Sequence, residues 1–147
     1  IERVRGLGWH LVLHLDPDDI VEFEPVFRKI PLPLVIDHMG RVVAADGLQQ
    51  RPFKVLLDFV SHDNVWVKIS GIERVAAAPP FTDAVPFGQA LAAAAPDRVL
   101  WGTDWPHPNV RHMPSDGDLV DLLPLMLPDE ALRRKVLVDN PARLYDF

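Results

Sequence analysis

Cysteine is absent from all 147 residues of this chain. Disulfide frameworks, thiolate metal sites and cysteine nucleophiles are thereby excluded, and the composition suits a reducing cytoplasm. No apolar run approaches the ~18 residues that a bilayer-spanning helix needs, so no membrane partner is expected. Positive charge is scarce: 15 lysines and arginines face 21 aspartates and glutamates, a formal charge of -6. Nucleic acid requires a basic surface, and this balance supplies none. A small anion held by one or two local arginines stays open. There is no glycine-rich phosphate loop, no G-x-S-x-G elbow and no H-E-x-x-H helix. No signal peptide is visible, and the first residue is Ile1; the expectation is a fragment whose N-terminal part is missing.

What is present is a chain that is 48% hydrophobic and large enough for one domain with its own core, residues 1–147. It reads as a repeated alternation of strand and helix. Gly8 to Leu15 is an apolar strand, followed by Asp16 at an N-cap position and Pro17 at the first helical position. An EF-hand reading of Asp16, Asp18 and Asp19 fails, because Val21 and Phe27 stand where glycine and glutamate are required. Ile20, Phe23, Phe27 and Ile30 make one helical face, with Pro25 as a kink or restart. Leu34-Val35-Ile36 is the second strand, and Phe53, Leu56, Leu57 and Val60 mark the second helix. Asn64 to Ser70 is the third strand, Phe87 to Ala95 the third helix, and Arg98 to Trp105 the fourth strand. Leu119 to Met126 and Glu130 to Val138 read as closing helices.

Strand–helix–strand units of this spacing imply parallel strands joined by right-handed crossovers. Periodicity leaves two architectures open, half of an eightfold barrel or a small open sheet. Alternation within the strands adds a second expectation, because side chains two apart share a face. Val65, Val67 and Ile69 face one way and Trp66, Lys68 and Ser70 the other. His14 aligns with Val12, His38 with Ile36 and Leu34, and Asp104 with Gly102 and Leu100. If the apolar side of the third strand meets the helices, the faces carrying His14, His38 and Asp104 converge on one centre.

The chemistry-bearing residues cluster at predicted strand ends, where parallel α/β folds build active sites. Asp104 follows an apolar strand and precedes Pro106 and Pro108, which cannot donate to a ladder. A carboxylate there can activate a water, ligate a metal, or simply cap its loop. His38 closes its strand beside Asp37, and His14 ends the first strand in the matching position. His107 sits in the proline-bracketed loop. Arg74 can fork a substrate carboxylate or pair with its neighbour Glu73 at the surface. His10, His62 and His112 read as loop or surface residues.

Four stretches, in order, resemble the amidohydrolase 2 family. Val35-Ile36-Asp37-His38-Met39-Gly40 looks like its sixth strand, and Val65-Trp66-Val67-Lys68-Ile69-Ser70-Gly71 like its seventh. Trp101-Gly102-Thr103-Asp104-Trp105-Pro106-His107 looks like the eighth, and Asp139-Asn140-Pro141-Ala142-Arg143-Leu144-Tyr145 like the closing helix. The resemblance implies the C-terminal half of a (β/α)8 TIM barrel, strands five to eight with their helices. It is nearest to the lactonase branch, which includes pyrone-dicarboxylate lactonases and sugar-lactone hydrolases and isomerases.

By that resemblance the chain comes from a hydrolase that opens a lactone on a small carboxylated metabolite. Asp104 would be the general base, His38 would polarise the lactone carbonyl, and Arg74 would hold a substrate carboxylate. His14, where pyrone-type lactonases look to carry a tyrosine, and His107 would contact the substrate. No cofactor is required in this reading. The alternative is a decarboxylase of the same family that uses zinc or a similar divalent ion, with Asp104 and histidines as ligands. A third reading is an inactive half-barrel that serves in assembly or binding. The family's His-x-His pair is absent from this chain, and exposed barrel edges would favour homo-oligomers.

Overall fold

The computed structural model describes all residues 1–147. Four strands, β1 (Leu11–Leu13), β2 (Leu34–Ile36), β3 (Val65–Lys68) and β4 (Val99–Leu100), form one sheet in sequential order. All three pairings are parallel, with Leu11 opposite Leu34, Leu34 opposite Val65, and Val67 opposite Val99. The crossovers carry α1 (Pro17–Phe27), α2 (Arg51–Phe59), and α3 (Ile72–Val75) with α4 (Val85–Ala94). The chain closes with α5 (Asp116–Asp121), α6 (Leu123–Met126), α7 (Glu130–Arg134) and α8 (Asn140–Tyr145). The predicted α/β alternation with parallel strands is the observed architecture.

The strands are shorter than their apolar runs. β4 pairs with β3 alone and closes its ladder at Leu100, although the predicted strand extended to Trp105. β1 likewise has only one neighbour, so Trp9, His10 and His14 fall outside the ladder. The predicted helix from Leu119 to Met126 is two helices. Pro124 stands in the first turn of α6, where its missing amide costs nothing, and α5 has already ended at Leu122. Pro25 does not split α1, which runs through it to Phe27. Asp16 holds the predicted N-cap position of α1, and its amide donates to the Asp19 carboxylate at 3.0 Å.

The two faces of the sheet differ. Leu34, Ile36, Val65, Val67, Ile69 and Val99 face the helices and join a core of 29 buried apolar residues that includes Phe53, Phe59, Phe87 and Leu91. The other face holds a separate cluster of Val35, Trp66 and Leu100, with Leu144 of α8 packed against it. The Arg143 guanidinium lies 4.9 Å from the centroid of the Trp66 ring. Side-chain amides and guanidinium groups tie the amino ends of the strands together. Asn140 donates to the carbonyls of Pro96 and Val99, Asn64 to those of Ile30 and Leu32, and Arg98 to that of Val65. Chemistry is left to the opposite, carboxyl ends.

Candidate active site at the carboxyl ends of the strands

The loops after β2 and β4 carry six of the eight non-glycine residues with positive φ: His38, Met39, Arg41, Asp104, His107 and Asn109. Such backbone is costly for L-residues and persists where surrounding contacts over-determine it. Here the contacts belong to polar side chains. Asp104, at φ 66°, turns its partly buried carboxylate toward β3 and β2. Its Oδ2 accepts from Arg74 Nε at 2.8 Å and lies 2.7 Å from the second guanidinium nitrogen of Arg74. Its Oδ1 lies 3.5 Å from His38 Nε2. The three residues predicted to carry the chemistry, Asp104, His38 and Arg74, therefore meet.

His38 arrives by a different route from the one its strand parity predicts. Ile36 and Leu34, the residues it aligns with, face the helices. Strand β2 ends at Ile36, and the backbone turns left-handed at His38 (φ 51°), which swings the imidazole to the other side. Ser70 Oγ lies 3.1 Å from its Nδ1. Gly71 makes the room: a Cβ there would sit 2.7 Å from Nδ1, and Gly71 itself is at φ 63°. Burial pushes the His38 pKa below its ordinary value, against the pull of Asp104 and Asp37, while Arg74 and His14 lower it further. Neutral His38 with its hydrogen on Nε2 satisfies both neighbours, accepting from Ser70 and pointing its donor at Asp104.

His14 is exposed at the end of β1, its ring centroid 5.4 Å from that of His38. Arg41 lies between elements, with one guanidinium nitrogen 2.7 Å from Asp16 Oδ1 and 3.4 Å from His14 Nε2. On the inner face Lys68 Nζ pairs with Asp37 Oδ1 at 2.7 Å. His107, predicted to contact substrate, is buried. It is 5% exposed, with Nε2 3.1 Å from Asp116 Oδ1 and Nδ1 3.8 Å from Glu73 Oε1. A left-handed turn at φ 56° folds its ring into the protein, toward Glu73 and Asp116. Arg74 also departs from the surface pairing with Glu73, which stands 3.8 Å away while Asp104 takes the close contacts.

A cavity of about 210 Å³ opens beside Asp104 and His38, bounded by Lys68, Ser70, Trp101 and Tyr145. A second cleft, about 470 Å³, borders Arg41, Arg74, Asn109, Arg111 and His112. Arg74 thus stands between the carboxylate and a basic cleft. His112, read from sequence as a surface residue, is part of that cleft's wall. Lys68, Ser70 and Glu73 went unselected as site residues in the sequence. Lys68 and Ser70 had a usable signal, their shared inward parity with Trp66. Glu73 had none, since nothing local distinguishes a buried glutamate from an exposed one.

Donor atoms of His14, Asp37 and His38 lie within 4.8 Å of one another, which raises the question of a divalent cation. Each of the three already has a polar neighbour. The Lys68 ammonium already neutralises Asp37, the Arg41 guanidinium stands at His14 Nε2, and Ser70 engages His38 Nδ1. A divalent ion there would have to displace the ammonium and guanidinium that now face those donors. Asp104 is outside this trio and is held by Arg74.

Comparison with known proteins returns one family along the whole chain. The amidohydrolase family model matches residues 1–147. A 4-sulfomuconolactone hydrolase of Rhizobium radiobacter is 46% identical over 98% of this chain and 51% of its own length. A 2-pyrone-4,6-dicarboxylate hydrolase of Comamonas testosteroni is 44% identical over 97% of this chain and 50% of its own. Among solved structures, an apo protein from Agrobacterium tumefaciens superposes with a TM-score of 0.86 at 32% identity. It covers 99% of this chain and 53% of that one. The chain spans about half the length of the relatives it matches.

Proposed function

This chain belongs to the amidohydrolase family, and from that premise we propose that it supplies half of a hydrolase that opens a lactone on a small carboxylated metabolite. The four strands correspond to the fifth to eighth strands of the family's barrel. Placing Asp104 after the last strand and His38 after the second supports that order.

The observation that carries the reading is the Asp104 carboxylate, gripped on one oxygen by Arg74 and facing His38 with the other. Asp104 Oδ1 is the base that takes a proton from the attacking water. The resulting hydroxide adds to the lactone carbonyl, and the Nε2–H of neutral His38 donates to the carbonyl oxygen as negative charge grows there. When the ring C–O bond breaks, the proton held by Asp104 passes to the leaving alkoxide. Asp104 is then a carboxylate again, and the product is an opened chain with a hydroxyl and a carboxylic acid, which releases the water's second proton to solvent at neutral pH.

Arg74 keeps Asp104 Oδ2 occupied so that Oδ1 is the oxygen that works, and it presents a charge to the adjoining cleft, where an anionic substrate group docks. The two named relatives act on lactones that bear a sulfonate or carboxylates, which supports a charged substrate. Asp104→Asn keeps the shape and removes the base. In the complete barrel, ring opening should fall by about two to four orders of magnitude. Dialysis against a strong chelator should leave turnover intact. Normal turnover in the Asn variant would remove Asp104 from the mechanism, and carbon dioxide release from a carboxylated substrate would replace hydrolysis with decarboxylation.

A further inference from the structure

Beside Arg74 lies a buried carboxyl group with no close side-chain partner. The Glu73 side chain is 0% exposed, and neither of its carboxylate oxygens has a hydrogen-bond partner. His107 faces it at 3.8 Å through Nδ1, which is likewise buried and unpartnered. The opposite ring nitrogen, Nε2, is 3.1 Å from Asp116 Oδ1. The ionised form is penalised in such a place, because burial outweighs the partial compensation from its own backbone amide, Arg74 and His107. A carboxylic acid is stable there if its one hydrogen finds an acceptor, and His107 Nδ1 is the acceptor at hand.

The charged groups facing Glu73 come from both elements around it. Arg74, on its own short helix, lies 3.8 Å away through Nε; Asp104 and His107 come from the loop after β4, with Asp116 beyond. We propose that Glu73 is a positioning residue which, as a neutral acid donating to His107 Nδ1, holds the loop after β4 and leaves Arg74 to Asp104. This inference rests on the lactonase reading only for its kinetic consequence. His107, Asp104 and Pro108 are on one loop, and Arg74 donates to the Pro108 carbonyl at 2.8 Å as well as to Asp104. Closing the 3.8 Å gap between Glu73 and His107 Nδ1 to a hydrogen bond would fasten that loop at a second point and set the His107 tautomer, with hydrogen on Nε2 toward Asp116. Ionised Glu73 would instead compete with Asp104 for the same guanidinium.

Burial raises the Glu73 pKa and the Asp104 anion adds to it, while its own backbone amide, Arg74 and His107 oppose the rise. Protonation therefore persists above the ordinary glutamate range, and the contact is lost as pH climbs through the raised value.

Carboxyl ¹³C and imidazole ¹⁵N spectra of the complete barrel test this directly. Glu73 should titrate above the other glutamates, His107 should carry its hydrogen on Nε2, and the Arg74 Nε–H resonance should move with the Glu73 titration. Glu73→Ala should shift that Arg74 resonance, and Glu73→Gln, whose amide donates as the acid does, should restore it. In the complete barrel the Ala variant should lose about tenfold in kcat/KM, the cost of a charge-assisted contact set slightly wrong, and the Gln variant should recover most of it. The wild type should also show an alkaline decline that the Gln variant lacks. An ordinary titration for Glu73, or an Arg74 resonance indifferent to both variants, would overturn the proposal. Failure of every variant to open any lactone, with the spectra as expected, would sink the lactonase reading and leave the Glu73–His107 contact standing.

Discussion

The two faces of the four-stranded sheet obey opposite rules. Toward the helices, Leu34, Ile36, Val65, Val67 and Val99 are all 0% exposed and join one continuous apolar core. Toward the other side the apolar cluster is only Val35, Trp66 and Leu100, and the same rows continue into Asp37, Lys68 and Ser70. Val12, in the inward row of β1, is 47% exposed, whereas both its neighbours in the strand are packed against the core. One face is therefore finished and the other is not. Burial drives the first, at about 25 cal/mol per Å² of apolar surface removed from water. The second holds charge beside a cavity, as an active centre does when a further layer of protein covers it.

Substitutions on the two faces should separate stability from chemistry. Phe53→Ala, deep in the helix-facing core and in edge-to-face contact with Phe87 at 4.7 Å, should cost about 3–5 kcal/mol in urea unfolding. It should leave the pairing of Arg74 with Asp104 unchanged below the unfolding transition. A cost under ~1 kcal/mol would mean that this face is less finished than its burial implies.

Gly71→Ala makes the reverse test, because it strikes the site through the backbone. The substitution strains a left-handed residue and drives a methyl into His38, which must move. Displacement of His38 by ~1 Å should reduce kcat by about 10²-fold in the complete barrel, with stability lowered by only about 1–2 kcal/mol. Unchanged kcat would detach His38 from the reaction.

Arg74→Met removes the guanidinium and keeps much of the stem. It should raise KM by about tenfold for substrates with a free carboxylate, and kcat should fall as well because Asp104 Oδ2 loses its donor. An equal loss with an uncharged lactone would confine Arg74 to holding Asp104.

The smallest effect is on pH. His38 has a depressed pKa, so the unfolded chain binds the proton more tightly, and its contribution to stability is present above the ordinary histidine value and lost as pH falls through the lowered one. Glu73 has a raised pKa, so its contribution is present below the ordinary glutamate value and is lost as pH rises through the raised one. Urea titrations of His38→Ala and Glu73→Gln against pH should therefore flatten opposite limbs of the stability curve. The same limb flattened by both would contradict these assignments.

Much of the scaffold was legible in advance. Short apolar runs alternating with helical stretches located all four strands, and the Asp16-Pro17 start of α1 followed from capping chemistry. Strand ends were overextended because an apolar residue cannot announce whether a neighbouring strand will be there to pair with it. Asp104, His38 and Arg74 were selected from strand ends and family likeness, and they meet. The parity reasoning for His38 nevertheless pointed it at the helices, since the left-handed turn after Ile36 lies beyond the reach of a period-two pattern.

Local order along the chain, by itself, determined the alternation of elements, the apolar face of β3 and the placing of carboxylate and imidazole just past strand ends. These depend on periodicities and caps that act over a few residues. Tertiary structure decided the partners. Arg74 turns from adjacent Glu73 to Asp104, 30 residues away, and His107 goes inward to a glutamate it does not neighbour in sequence. The physical reason is that burial and Coulomb energy depend on distances through space, which the parallel register of β3 and β4 sets and no local pattern contains.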